Sequence, residues 1–168
     1  MARPSPRALD VLGTLARLVL AAVWMASGAI KLFDPRGTVA AVRAYQLVPD
    51  HLVSLVAGVL PFLELALGLL LLFGVGVRIV AVLSGALLLV YIAGVAQSWA
   101  RGLTIDCGCF GGGGQVAPGQ THYPQEILRD TGFLLLAIWL AVRPATLLSV
   151  DGLLAGPIPR SATVERAS

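Results

Sequence analysis

Long apolar runs constrain this chain more than any other feature of its sequence. A bilayer core about 30 Å thick is crossed by about 20 apolar residues of helix. Three stretches of this length carry few charges, at residues 11–33, 51–73 and 77–99, and a fourth, at 124–142, is long enough if the helix begins at Pro124. The pattern predicts four membrane-spanning helices.

The overall composition agrees with lipid as the solvent of this chain. Only 12% of the residues are charged, 57% are hydrophobic and the mean hydropathy is +0.86. That charged share is about half the value of an ordinary soluble domain. The net charge of +3 comes from arginines that are scattered along the chain, which does not favour nucleic acid as a partner. The partner that we expect is the lipid bilayer.

Glycine and proline mark the ends of the predicted helices. Asp34 precedes a proline, a position that avoids helical backbone. Gly74 and Gly76 leave only a tight turn between the second and third spans, and helices joined in this way are antiparallel neighbours. We therefore predict an all-α integral membrane protein, an antiparallel four-helix bundle. Residues 37–47 fit a short helix on the membrane surface and a plain loop equally well.

The basic residues set the expected orientation in a plasma membrane. By a small margin they favour cytoplasmic termini. Aromatic residues near the predicted helix ends, Tyr91 among them, suit an interfacial belt. A cleaved signal peptide is an alternative for the N-terminus, but the apolar run continues to Phe33 and three more spans follow. The predicted parts are a cytoplasmic N-terminus at 1–10, a membrane domain at 11–143 with an extracytoplasmic loop at 100–123, and a flexible tail at 144–168.

Two charged residues lie inside predicted spans, where an isolated charge is costly. At 1.5 Å per residue, Arg17 lies roughly 10 Å from the start of the first span and Glu64 roughly 20 Å from the start of the antiparallel second span. These depths coincide, so we predict an Arg17–Glu64 ion pair that faces the bundle interior and fixes helix register. Lys31, at the end of the first span, either extends its amine to the interface or approaches the cysteine loop or Asp130.

Both cysteines of the chain lie in the predicted extracytoplasmic loop. Cys107 and Cys109 are separated by one glycine and followed by Phe110 and a run of four glycines, which predicts a flexible loop. A disulfide across so short a loop is constrained and readily reduced, and this suits thiol–disulfide exchange. One cysteine would attack or accept a partner's sulfur and the other would resolve the mixed disulfide. Lys31 or Arg129 nearby would favour the thiolate.

Other chemistries have weaker support. A passive local disulfide, or two idle thiols, is the alternative to exchange. A metal site needs further ligands, and Asp106, His122 and His51 do not form a recognised zinc spacing with the two cysteines. We therefore predict no metal. The sequence also lacks the glycine motifs that bind phosphates or dinucleotides.

Several short motifs together resemble the methylamine-utilisation protein MauE family, which is related to the DoxX-like four-helix membrane proteins. The resemblance covers most of residues 9–142, and its most specific part is Cys-Gly-Cys-Phe-Gly at 107–111. The remaining matches are Ser27-Gly28, Lys31, Tyr45, Pro49, Pro61, Glu64 and Arg129-Asp130. The resemblance implies a bacterial membrane protein associated with maturation of methylamine dehydrogenase, whose small subunit carries many disulfides.

From this resemblance we expect a role in forming, isomerising or delivering disulfides. The partners would be a thioredoxin-like protein and a disulfide-rich extracytoplasmic client, and electrons would leave through a second protein or a membrane quinone. Cys107 and Cys109 would be the catalytic residues. The supporting residues would be Lys31, Phe110, Arg129 and Asp130. The alternative function is a non-catalytic membrane scaffold or a transport subunit.

Overall fold

The computed structural model describes residues 6–108, 113–117 and 119–154. Cys109 and Phe110, both assigned to the functional site from the sequence, lie outside the described residues, as do 1–5 and 155–168. The described elements are α1 (Pro6–Phe33), α2 (Pro35–Ala44), α3 (Asp50–Phe73), α4 (Val77–Ala100), β1 (Ile105–Asp106), β2 (Gly114–Gln115), α5 (Tyr123–Val142) and α6 (Val150–Leu154).

Three of these helices, α1, α3 and α4, are long and apolar enough to cross a membrane. The prediction of an all-α, multi-pass membrane protein is thereby confirmed. α5 has 20 residues, but Glu126, Arg129 and Asp130 all fall within its first eight. The apolar remainder rises only about 18 Å, so length and composition identify three spans where four were predicted.

Residues 35–44 form a helix, which decides between the two alternatives for this region. Asp34 caps α2, because its carboxylate accepts a hydrogen bond from the Gly37 N–H at 2.9 Å. Pro35 occupies the first turn, where a backbone N–H is not needed. The buried face of α2 carries Thr38, Ala41 and Ala44, and it packs on α3 and on both strands.

The turn between α3 and α4 is built from two glycines in left-handed backbone. Gly74 has φ +68° and Gly76 has φ +59°, a region that other residues rarely adopt. Gly76 has no side chain to cap α4, and the Asp151 carboxylate instead accepts from the Gly76 and Val77 N–H groups at 2.8 and 2.9 Å. Residues 144–154, predicted as part of a flexible tail, therefore fold against this turn.

α1 and α3 approach closely at two glycines. A Cβ atom at Gly28 would lie 2.8 Å from the Pro61 carbonyl oxygen and from Leu65 Cγ, and one at Gly68 would lie 2.8 Å from Met25 Cγ. Small residues allow such close backbone contact between membrane helices. These contacts set the register of the antiparallel α1–α3 pair.

Because of this register, α1 is offset from α3 along the axis of the bundle. We call the end that carries β1 and β2 the loop end, and the end that carries residues 74–76 the turn end. Because Gly28 lies against Leu65, α1 finishes well before the loop end of α3. α2 then packs on α3 and completes that side of the bundle.

We expect Gly28→Ala to lower the free energy of unfolding by about 1–3 kcal/mol, because the new methyl overpacks the α1–α3 contact. The matched control is Gly58→Ala in α3, where no atom lies within 4 Å of an added Cβ and alanine favours the helix. Equilibrium unfolding in mixed detergent and dodecyl sulfate micelles, followed by circular dichroism, measures both. Equal stability of the two variants would contradict the close contact.

Candidate functional site

A buried ion pair joins α1 to α3. The Lys31 Nζ donates hydrogen bonds to both Glu64 carboxylate oxygens, at 2.8 and 2.9 Å, and to Ser27 Oγ at 2.6 Å. Tyr91 of α4 donates its hydroxyl to the same carboxylate. Lys31 is 8% exposed and Glu64 is 0% exposed. The two opposite charges compensate each other where water is excluded.

Lys31, and not Arg17, is the partner of Glu64, so the predicted Arg17–Glu64 pair is wrong. The depth arithmetic assumed that the first two spans start at opposite faces of one slab, whereas α1 is shifted toward the turn end. Counting from the contact of Gly28 with Leu65, the position opposite Glu64 lies about 18 Å along α1 from Arg17. The Lys31 amine accordingly turns into the bundle and does not extend to the interface.

Arg17 instead binds backbone carbonyls at the turn end. Its Nη1 donates to Leu71 and Leu72 at 2.7 and 3.0 Å, and its Nη2 donates to Leu147 and Leu148 at 3.2 and 3.3 Å. The last carbonyls of a helix have no partner within it and carry partial negative charge. Arg17 therefore ties α1 to the end of α3 and to the segment before α6.

The described cysteine, Cys107, lies beside charged groups of both signs. It is 8% exposed, and Arg129 Nη2 donates to its Sγ at 3.8 Å. One carboxylate oxygen each from Asp106 and Glu126 lies within 4.8 Å of the same sulfur. Tyr45 donates its hydroxyl to the Cys107 carbonyl at 3.3 Å. The guanidinium favours the thiolate, whereas the carboxylates oppose it.

A small hairpin and a tyrosine hold Cys107 in place. β1 pairs with β2 in antiparallel register, with Ile105 opposite Gln115. The Tyr123 hydroxyl accepts from the Ile105 N–H at 3.0 Å and donates to the Leu103 carbonyl. The sequence predicted only a flexible loop here, because strands of two residues leave no alternating pattern to detect.

Asp106, Cys107 and Glu126 are also residue types that bind metals, and their ligand atoms lie close enough to reach one ion. Arg129 Nη2, however, lies 3.8 Å from the same sulfur. Its positive charge disfavours a cation at this position.

Asp130 lies between the cysteine and the Lys31–Glu64 pair. Its Oδ1 accepts from Arg129 Nε at 2.9 Å, and it is 3% exposed. Its Oδ2 has no hydrogen-bond partner among the described residues. Asp130, Ser27 and Tyr91 all line one void of about 10 Å³, which is about the space of one water. Polar groups thus continue from Glu64 through Asp130 and the partly buried Arg129 to Cys107.

A cavity of about 170 Å³ also connects Lys31 of the buried ion pair with Cys107. Lys31 and Tyr91 lie in its wall, as do Cys107 and Gly108. The rest of the wall is mostly aliphatic and comes from α2, α3 and α4 and the segment between α2 and α3. Among the described residues of the wall, Lys31 is the only charged one. The cavity is therefore an apolar space between a thiol and a buried ammonium.

The structure brings together four sequence-predicted residues in this region: Lys31, Cys107, Arg129 and Asp130. Sequence reasoning missed Glu126 and the polar role of Tyr91. Glu126, Arg129 and Asp130 occur at helical spacings of three and four, and this shared face could have indicated a site. Tyr91 fitted an interfacial belt equally well, because its contact with Glu64 depends on how α4 packs.

Residues 9–143 match the family model described as methylamine utilisation protein MauE. The methylamine utilization protein MauE of Paracoccus denitrificans is 38% identical to this chain over 98 residues, which is 58% of this chain and 53% of that protein. The chain thus spans about half the length of this curated relative. No solved structure matches the chain.

Proposed function

Since the chain belongs to the MauE family of methylamine utilisation proteins, we propose that it is a membrane thiol–disulfide exchange protein that serves the maturation of a disulfide-rich client. The observation that carries this proposal is the position of Cys107. It lies in a fixed loop with a guanidinium at 3.8 Å from its sulfur, and a second cysteine follows two positions later.

The burial of Cys107 supports different roles for the two cysteines. Cys109 meets the partner, and Cys107 is the sulfur that leaves when the disulfide is attacked and that resolves the mixed disulfide when the exchange runs in reverse. A thiolate of a thioredoxin-like partner attacks the Cys109 sulfur of the Cys107–Cys109 disulfide, and Cys107 leaves as a thiolate beside Arg129. The partner's second thiolate then attacks its own sulfur in the mixed disulfide. Cys109 leaves, the partner gains a disulfide, and this chain becomes a dithiol.

We also propose that α5 is a fourth crossing helix, as in the DoxX-like bundles. Glu126 and Asp130 are buried, so their charges face protein and not lipid. The opposite side of α5 exposes apolar side chains, with Leu135, Ile138 and Val142 between 51% and 80% exposed. With four crossings both termini would share one side of the membrane, and the distribution of basic residues favours the cytoplasmic side, which would leave the Cys107 loop outside.

Trapping of mixed disulfides in cells tests the exchange function. In Cys107→Ser, the Cys109 thiolate can still attack the disulfide of an oxidised partner, but no second thiol of this chain can release that partner. The mixed disulfide is therefore expected to give a band on non-reducing gels about tenfold stronger than that of Cys109→Ser. The Cys107→Ser/Cys109→Ser double variant is the control for other adducts. A membrane-impermeant maleimide added to intact cells is expected to label the wild-type chain only after reduction.

Equal bands from all three variants would contradict the exchange function. So would full support of client maturation by the double serine variant, which would favour the scaffold or transport alternative.

A further inference from the structure

We propose that the cavity between Lys31 and Cys107 binds the head group of a lipid-soluble quinone, and that this quinone accepts the electrons of the reduced cysteine pair. The inference rests on the proposed exchange function, because each exchange that oxidises a partner leaves this chain as a dithiol. A further exchange then requires a two-electron oxidant.

The size of the cavity suits a single ring. An engineered apolar cavity of about 150 Å³ binds benzene, and this cavity measures about 170 Å³. It accommodates one six-membered ring and leaves little space for a long substituent. A ligand with a long tail must therefore extend that tail out of the cavity.

The exposed part of the wall indicates where such a tail would go. Val90 of α4 is 64% exposed and Leu47 is 56% exposed, and both line the cavity. α4 is a membrane-spanning helix, so an exposed apolar side chain on it faces lipid. The cavity thus opens toward the acyl chains beside Val90, where the isoprenoid tail of a membrane quinone already resides.

The charge of the wall favours a neutral electron acceptor. Lys31 is the only charged residue among the described residues of the wall, and Glu64 compensates its charge at 2.8 Å. A cation or an anion would lose its hydration on entry without an equivalent partner. A quinone enters uncharged, and the Lys31 ammonium then stabilises the negative charge that develops on its oxygen during reduction.

The position of Cys107 allows a ligand in the cavity to reach the cysteine pair. Cys107 is part of the cavity wall, so a bound ring contacts the residue that must be reoxidised. Cys107 and Cys109 lose two electrons and two protons and form one disulfide bond. The quinone gains the same two electrons and two protons and becomes a quinol, which leaves into the bilayer.

A binding experiment tests the cavity without any redox step. Trp24 is buried, and its ring lies 6.2 Å from that of Tyr91, which lines the cavity. The full chain with Trp99→Phe, Trp139→Phe and Cys107→Ser keeps Trp24 as its one tryptophan. Titration of this protein in lipid nanodiscs with decylubiquinone is expected to quench its fluorescence to a saturating level.

A pair of double variants localises the binding. Val56→Phe/Val90→Phe fills the cavity, because both valines line it. Leu55→Phe/Leu89→Phe is the matched control, because these neighbours on the same helices are 61% and 54% exposed and lie outside the described wall. The filled variant is expected to raise the apparent Kd about tenfold, which corresponds to about 1.4 kcal/mol, and the control is expected to leave it unchanged.

Electron transfer is then measured with the reduced chain, in which Cys107 is restored and Cys109 is present. Addition of decylubiquinone is expected to give one quinol per protein, and the cavity-filled variant is expected to slow this reaction about tenfold while it still forms mixed disulfides. Non-saturating quenching, equal affinities in the two double variants, or saturating quenching without quinol formation would overturn the inference. Intact mixed-disulfide trapping would in that case leave the exchange function standing, whereas loss of trapping would remove both.

Discussion

Replacing Glu64 with leucine is expected to lower the free energy of unfolding by about 3–5 kcal/mol, because Lys31 then keeps its charge in a buried place without its carboxylate. Glu64 is fully buried and holds the ammonium at 2.8 and 2.9 Å. The unfolding equilibrium in mixed detergent and dodecyl sulfate micelles measures the loss.

The double variant Lys31→Met/Glu64→Leu separates charge from packing. Removal of both members of a buried pair is often neutral or even stabilising, so the double variant is expected to regain most of the lost stability. The control is the exposed Arg43–Asp50 pair, with N–O distance 3.6 Å, whose removal is expected to change stability by less than about 1 kcal/mol. A double variant as unstable as Glu64→Leu would contradict this account.

Arg17→Met is expected to give the second large effect, a loss of about 3 kcal/mol, because hydrogen bonds from a charged donor to four carbonyls disappear at once. The carbonyls belong to the end of α3 and to Leu147 and Leu148. Amide hydrogen exchange of residues 145–152 is expected to accelerate, since this segment loses its attachment to α1.

Arg78→Met is the matched control for that experiment. Arg78 lies at the start of α4 and is exposed, so its loss is expected to leave both stability and exchange unchanged. Slow exchange of residues 145–152 in Arg17→Met would show that other contacts hold the segment.

The sequence predicted the helices well because long apolar runs and glycine or proline breaks determine where membrane helices begin and end. It failed on the partner of Glu64, because the offset between two helices is a property of their contact. Here Gly28 and Gly68 permit a close approach in one register, and that register places Lys31 beside Glu64. The depth of a residue within its own span does not reveal the offset between two helices.

The candidate site, too, could be predicted from the sequence only in part. The spacing of Cys107 and Cys109 was sufficient to predict thiol–disulfide exchange, since a disulfide across one residue depends only on local geometry. The surroundings of Cys107 could not be predicted, because Glu126 and Arg129 reach it from α5. The attachment of residues 144–154 was missed for a similar reason: Asp151 finds its partners at Gly76 and Val77, which are distant in the chain.

The attachments of Arg17 have a consequence for how the protein is made. Its acceptors at Leu147 and Leu148 follow it by 130 and 131 positions, so a ribosome delivers the guanidinium to the bilayer long before these oxygens exist. Helices that insert one after another can associate only once their neighbours are present. The hydrogen bonds from Arg17 to Leu147 and Leu148 can therefore form only after α5 has been synthesised. The turn end of the bundle is complete only at that stage.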